Sequence, residues 1–329
     1  AKPVPYLGGV AMVAAFSLAR VVGVFLRISA WFEGERVSFS LGQESPWDDS
    51  LLREVLIVIG LAVCFAIMGL VDDLRGLSPW LRFGIGVALA AGLVWYGVRI
   101  ETPLPLGVDW AISIVWVLGI TNAFNLLDNI DGLAAGIAAI ASTGFFIIAI
   151  INDQPYSALL AIGLAGAMLG FLRSNFHPAS IYMGDAGSLF IGFMMAYLGL
   201  KMRTTVTEIP QLFAPVVVLG VAVLDTTMVV VSRVRRGVSP FTGGQDHLSH
   251  RLRRLGLSVR RSVTTLLIAG VAVGVLAVGL SEAQASVGYW VLGAVVVSGV
   301  MAAVVLTTKV ARVDEADQSN VTPIRRDVG

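Results

Sequence analysis

The chain of 329 residues carries 14% charged residues against 56% hydrophobic ones, with a net charge of +1. Soluble domains usually hold about 25% charged and about 45–50% apolar residues, so an ordinary soluble domain is excluded and no nucleic-acid partner is expected. The single cysteine, Cys64, excludes an internal disulfide and a thiol-rich metal site; set in an apolar run, it reads as a small core residue.

Windows of about 19 residues predict ten membrane helices, at 8–26, 53–71, 80–97, 110–127, 132–151, 157–173, 187–200, 211–231, 263–280 and 288–307. The expected architecture is an all-α polytopic membrane protein. A single transmembrane catalytic domain covers 1–307, and a cytoplasmic polar tail covers 308–329. Span 187–200 is short and interrupted by glycine, which predicts a broken or tilted helix. No internal repeat is visible, which counts against the repeat-built transporter folds. Lys2 to Gly9 reads as an inter-helix loop, so one further helix is expected to precede it; no signal-peptide pattern is present.

Charge in the connecting segments orients these spans. One side collects Lys2, Arg75, Arg173, the eight arginines of 232–262, Lys309, Arg312, Arg325 and Arg326. The other holds Arg27, Arg36, Arg53, Arg99, Lys201 and Arg203 beside several acids. The positive-inside rule makes the first side cytoplasmic.

Three acidic motifs fall on that side. Asp72-Asp73 closes the second span, and adjacent carboxylates both stay ionised only where a cation or basic groups neutralise them. A solvated helix end is the plainer alternative. In Asn122-Ala123-Phe124-Asn125-Leu126-Leu127-Asp128-Asn129-Ile130-Asp131-Gly132, helical spacing aligns Asn122, Asn125, Asp128 and Asp131 on one stripe. Such a stripe is costly in an apolar helix unless it lines a cavity, so both asparagines are expected to contact substrate. Gly132 permits a turn or a close ligand approach. Met183-Gly184-Asp185-Ala186-Gly187-Ser188 sets an aspartate at a glycine-rich helix start, where free N–H groups suit an anion; an N-cap is the rival role for Asp185. Five carboxylates on one face invite a hard cation, and oxygen ligands suit Mg²⁺, with Mn²⁺ as a substitute.

In the 232–262 segment most arginines read as topology-setting charge. His247 and His250 lie three apart beside Asp246, where imidazole can bind phosphate, exchange a proton or support structure. Arg251 is expected to contact the same anionic substrate. His177, next to Pro178, reads as structural. Asp225, inside a span, is functional or internally paired.

Together these motifs resemble the polyprenyl-phosphate N-acetylhexosamine-1-phosphate transferases, from Lys2-Pro3-Val4-Pro5 through the histidine segment. The resemblance implies a multi-pass enzyme of the bacterial inner membrane with a cytoplasmic, Mg²⁺-dependent site. It implies transfer of a sugar-1-phosphate, GlcNAc-1-phosphate being expected, from a UDP-sugar to undecaprenyl or decaprenyl phosphate. UMP is released, as the first membrane step of a cell-envelope glycan pathway, with homodimer formation open. Asp72 and Asp73 match the family's first acidic motif, Asp128 and Asp131 its second, and Asp185 its metal-associated aspartate, with Asp73 as a second metal contact. His247 and His250 match the histidine-rich segment, and Lys2 the basic residue before Pro-x-Pro. Two positions depart from the pattern: Ser249 stands where another histidine is frequent, and Asn129 where glycine is frequent. Three consecutive histidines are absent, which favours the WecA-like over the MraY-like branch. Two rivals remain. A CDP-alcohol phosphotransferase would need an arginine where Gly136 stands in Asp131-Gly132-Leu133-Ala134-Ala135-Gly136, and an ion-coupled transporter would carry its acids near the midplane.

Overall fold

Residues 186–200 are apolar on every side, and a helix of that kind needs protein around its whole circumference. In the computed structural model, which describes residues 7–18, 49–202, 208–239 and 244–320 (49–52 and 314–320 as backbone only), this segment forms the axis of the fold. Twelve α-helices are described: α1 Gly8–Leu18, α2 Asp49–Arg75, α3 Pro79–Trp95, α4 Leu106–Leu127, α5 Leu133–Ile151, α6 Pro155–Asn175, α7 Gly184–Lys201, α8 Ala214–Val218, α9 Gly220–Arg235, α10 Leu248–Arg254, α11 Val259–Ser281 and α12 Ala285–Asn320. A 3-10 turn, Ile209–Phe213, precedes α8. Helix α7 is enclosed chiefly by α2 and α4, while α5 packs on α6 and α11. No strand occurs among the described residues.

Local chemistry sets the helix starts around the site. Ser78 Oγ accepts from Leu81 N at 3.3 Å and Pro79 follows it, so α3 begins immediately after the Asp72-Asp73 turn. Gly132 adopts φ +81 between α4 and α5; a Cβ there would lie 3.0 Å from the Phe176 ring and 3.2 Å from Phe176 Cα. Close helix approach depends on glycine as well. A Cβ on Gly69 of α2 would lie 2.3 Å from the Asp185 carbonyl oxygen, and one on Gly192 of α7 would lie 2.7 Å from Thr121 Cα. At the opposite end of the bundle Glu54 of α2 accepts from Tyr197 Oη at 2.7 Å and Lys201 Nζ at 2.8 Å, both on α7.

Gly69→Ala is therefore expected to push α2 off the start of α7, at a cost of about 1–3 kcal/mol. The purified variant should melt lower and lose activity, because Asp73 and Asp185 move apart. Gly60→Ala, whose Cβ meets nothing within 4 Å, is the control and should not melt lower than the parent. Equal melting of the two variants would show that the α2–α7 approach is not tight.

All-helical, polytopic membrane architecture is what the structure has, with corrections in detail. Six described helices are long and apolar enough to cross a membrane, or seven if one bent pair counts as a span, against ten expected. The expected single span 211–231 is not straight. It breaks at Leu219-Gly220, where Ile209–Val218 and Gly220–Arg235 meet at 78°, and Leu219 sits at φ −89, ψ 12. The expected break within 187–200 does not occur: α7 is continuous and buried. Helix α12 runs on to Asn320 rather than ending at 307. Lys2 lies outside the described residues.

Candidate active site

Three helix ends meet at one end of the bundle. Asp73, at the end of α2, accepts from the backbone N–H groups of Asp185 at 3.1 Å and Ala186 at 3.3 Å. It therefore caps α7 from another helix and occupies N–H groups that the sequence left open to an anion. Asp185 is thereby freed from capping. Its Oδ2 accepts from Arg82 Nη1 at 3.0 Å and its Oδ1 from Asn125 Nδ2 at 2.8 Å. Arg82, in the first turn of α3, also donates through Nη1 to Asp72 Oδ2 and through Nη2 to Asn125 Oδ1 at 3.0 Å. Asp72 Oδ1 takes the Leu77 N–H at 2.6 Å. Asn125 Nδ2 also reaches Ser188 Oγ at 3.0 Å.

Arg82 is the residue that the sequence reading missed. It lies inside an apolar span, and an ionisable group there is itself a signal of function.

Asp128 follows α4 and is half-buried, and its carboxylate has no hydrogen-bond partner among the described residues. Burial, and then the charges of Asp185, Asp73 and Asp131, push its pKa from 3.8 up to about 7. An acid whose pKa is higher in the folded than in the unfolded protein stabilises the fold only while protonated. With a chelator present, stability is expected to fall as the pH rises from about 4 to about 7 and to level off above that range. Asp128→Asn should remove that part of the slope. Thermal melting of both proteins across the range checks it; parallel slopes would mean that Asp128 titrates alike in the folded and unfolded protein.

Asp131 has a different neighbourhood. Its Oδ2 meets His177 Nδ1 at 2.8 Å and the Ala179 N–H at 3.1 Å, so it holds the segment after α6. Its charge still reaches Asp128. Asn175 supports the same corner, accepting from Gly132 N at 3.1 Å and donating to the Ile181 carbonyl at 3.0 Å. His177 is thus partnered with an expected catalytic residue, a link invisible in sequence.

The histidine segment is docked on α9. His247 is buried, with Nδ1 2.8 Å from Asp225 Oδ2, and Asp225 Oδ1 accepts the Leu248 N–H at 2.6 Å. Asp225 is therefore internally paired. Asp246 joins Arg236 at 2.7 Å and Arg233 at 3.4 Å. Burial works against the Asp246 charge, but the hydrogen bond and charge of Arg236, then of Arg233, hold its carboxyl below the ordinary range. Burial, then His247 and Arg253, push the His250 imidazole below its ordinary value and favour its neutral form. Arg251 donates to the Asp246 carbonyl at 2.9 Å and to Thr307 Oγ1 at 3.0 Å. It therefore ties α10 to α12, and none of its hydrogen bonds reaches the carboxylate cluster.

Beside the cluster opens a cavity of about 430 Å³ between α2, α3, α4 and α9. Phe65, Met68, Phe83, Leu118 and Val230 give it an apolar wall, while Arg82, Asn122 and Asn125 form its polar part. Asn122 Nδ2 donates to the Leu118 carbonyl at 2.8 Å, which leaves its side-chain oxygen to the cavity. No three acidic, histidine or cysteine side chains among the described residues are disposed to hold a metal by themselves. Mg²⁺ commonly takes one or two carboxylates and completes its shell with water and substrate phosphates. The oxygen donors Asp73 and Asp185, with the uncompensated carboxylate of Asp128 nearby, fit that mode.

The profile described as glycosyl transferase family 4 matches residues 55–203, the stretch that holds all five aspartates and Arg82. The chain is 32% identical to the decaprenyl-phosphate N-acetylglucosaminephosphotransferase of Mycobacterium tuberculosis, over 91% of its own length and 78% of that protein. It is 32% identical to the protein of the same name from Mycolicibacterium smegmatis, over 85% of this chain and 72% of that one. To the phospho-N-acetylmuramoyl-pentapeptide-transferase of Halalkalibacterium halodurans it is 30% identical, over 78% of this chain and 82% of that one. With its five aspartates, its histidine segment and these relatives, the chain belongs to glycosyl transferase family 4, on the side of the polyprenyl-phosphate N-acetylhexosamine-1-phosphate transferases that its motifs resemble.

Proposed function

We propose that the protein transfers N-acetylglucosamine-1-phosphate from UDP-N-acetylglucosamine to a polyprenyl phosphate and releases UMP. The observation that carries this reading is the junction at Arg82, which belongs both to the apolar cavity and to the carboxylate cluster. A long hydrocarbon acceptor with a phosphate head needs such a junction: an apolar groove for the chain, ending on a cation and amides for the phosphate. An oxygen of the acceptor phosphate forms a new bond to the sugar-bearing phosphorus, and the bond from that phosphorus to the UMP oxygen breaks.

Phosphoryl transfer needs alignment and charge neutralisation more than covalent machinery. Mg²⁺, when bound, supplies neutralising charge on the pyrophosphate, and Asp73 and Asp185 are the residues that would hold it. Arg82 and Asn122 orient the acceptor phosphate. Asp128, free of hydrogen bonds among the described residues, is the group available to take its proton. The decaprenyl acceptor named for the mycobacterial relatives supports a polyprenyl phosphate of that class.

A panel of radiolabelled UDP-sugars with purified protein, polyprenyl phosphate and Mg²⁺ tests the reading. Label from UDP-N-acetylglucosamine should enter the lipid phase with stoichiometric UMP, and a chelator should stop it. Transfer from no UDP-sugar by folded protein would overturn the reading. The placement of the site on the cytoplasmic face of the inner membrane rests on the distribution of Lys and Arg between the connecting segments. In a background lacking Cys64, cysteines at positions 76 and 253 should react only with membrane-permeant reagent; labelling from outside intact cells would reverse the orientation.

A further inference from the structure

Asn129 and Ser249 lie 120 residues apart in sequence and touch each other. Ser249 Oγ donates to Asn129 Oδ1 at 2.5 Å. Asn129 turns its amide nitrogen to the Leu126 carbonyl at 2.7 Å, which fixes its oxygen as the acceptor. Ser249 is fully buried and Asn129 half-buried, so a larger side chain at 249 has no room while Asn129 fills the site. A glycine at 129 would leave both the Ser249 hydroxyl and the Leu126 carbonyl short of a partner.

Ser249 stands between His247 and His250, and Asn129 between Asp128 and Asp131. The remaining anchors of the histidine segment described above run to α9 and α12, through Asp225, Arg233, Arg236 and Thr307. The Ser249 bond runs instead to the acidic turn. We propose that Ser249 and Asn129 are a matched pair of positioning residues. They set the register of the histidine segment on the acidic turn, and so the width of the site that receives the nucleotide sugar. Each member fills the space the other leaves, so a larger side chain at 249 needs a smaller one at 129. The substrate part of this inference rests on the proposed transfer reaction; the coupling of the two residues does not.

The test is a mutant cycle with two readouts: steady-state transfer from UDP-N-acetylglucosamine, and amide hydrogen exchange over 246–254. Ser249→Ala and Asn129→Ala should each lower kcat/KM by about three- to tenfold, mainly by raising KM for the nucleotide sugar, and the double variant should be no worse than either. Each should also speed exchange over 246–254. Ser249→His should be more damaging than Ser249→Ala, and adding Asn129→Gly should restore at least half of the lost kcat/KM. Multiplicative losses in the cycle, or a Ser249→His variant that Asn129→Gly does not improve, would overturn the pairing. A purely architectural contact would lower the melting temperature and leave KM unmoved, which would also reject it. If the parent protein transfers no sugar phosphate, the functional reading fails, and the exchange cycle alone decides: non-additive loss of protection upholds the pair and additive loss rejects it.

Discussion

Asp185→Asn is expected to lower turnover by about a thousandfold while the protein stays folded. The two carboxylate oxygens of Asp185 face two donors, Arg82 Nη1 and Asn125 Nδ2. An amide replaces one of those oxygens by an N–H₂ group, so one donor then faces another, and the negative charge is lost as well. The fold should survive for a specific reason. The start of α7 is capped by Asp73 from α2 and not by Asp185, and the enclosed face of α7 begins at Ala186. UMP release, thermal melting and an Mg²⁺ titration of the purified variant check this. Turnover near that of the parent, with an unchanged Mg²⁺ response, would reduce Asp185 to a tether for Arg82.

Much of this site was legible in sequence because polar groups in apolar segments must be compensated. Asn122 and Asn125 do border a cavity, as their helical spacing predicts, but α4 ends at Leu127, so Asp128 and Asp131 lie in the turn beyond it and not on the same helical stripe. Gly132 does sit at positive φ. Partner identity was not legible, since helix approach and not local sequence decides it. Asp128 and Asp131 look alike in the motif. Yet Asp131 meets His177, 46 positions away, whereas Asp128 has no hydrogen-bond partner among the described residues.

Sequence alone makes Asp73 and Asp185 look like parallel metal contacts, but one caps the helix that carries the other. That relation depends on Gly69 letting α2 come within contact of the Asp185 backbone. The bend at Leu219 escaped notice because hydropathy over 211–231 is continuous and carries no information on backbone direction. Arg251 looked like a nucleotide contact from its neighbours in sequence, and its hydrogen bonds go to Asp246 and Thr307 instead.

Arg82→Met is expected to have opposite effects on turnover and on metal affinity. The guanidinium is shared among Asp72, Asp185 and Asn125, so it already neutralises part of the cluster. A fixed cation there opposes a second one, and its removal leaves Asp72 and Asp185 facing each other without compensation. Mn²⁺ binding, followed by electron paramagnetic resonance in detergent, should therefore tighten by about tenfold. Turnover should fall by about a hundredfold or more, because the acceptor phosphate loses the cation that borders the cavity. Arg82→Lys separates charge from shape. An ammonium keeps the charge but cannot span two carboxylates and an amide with one planar fork, so Mn²⁺ affinity should stay near that of the parent while turnover recovers only in part. If Arg82→Met instead binds Mn²⁺ more weakly than the parent, Arg82 serves to hold the carboxylates in a metal-ready arrangement and does not compete with the metal.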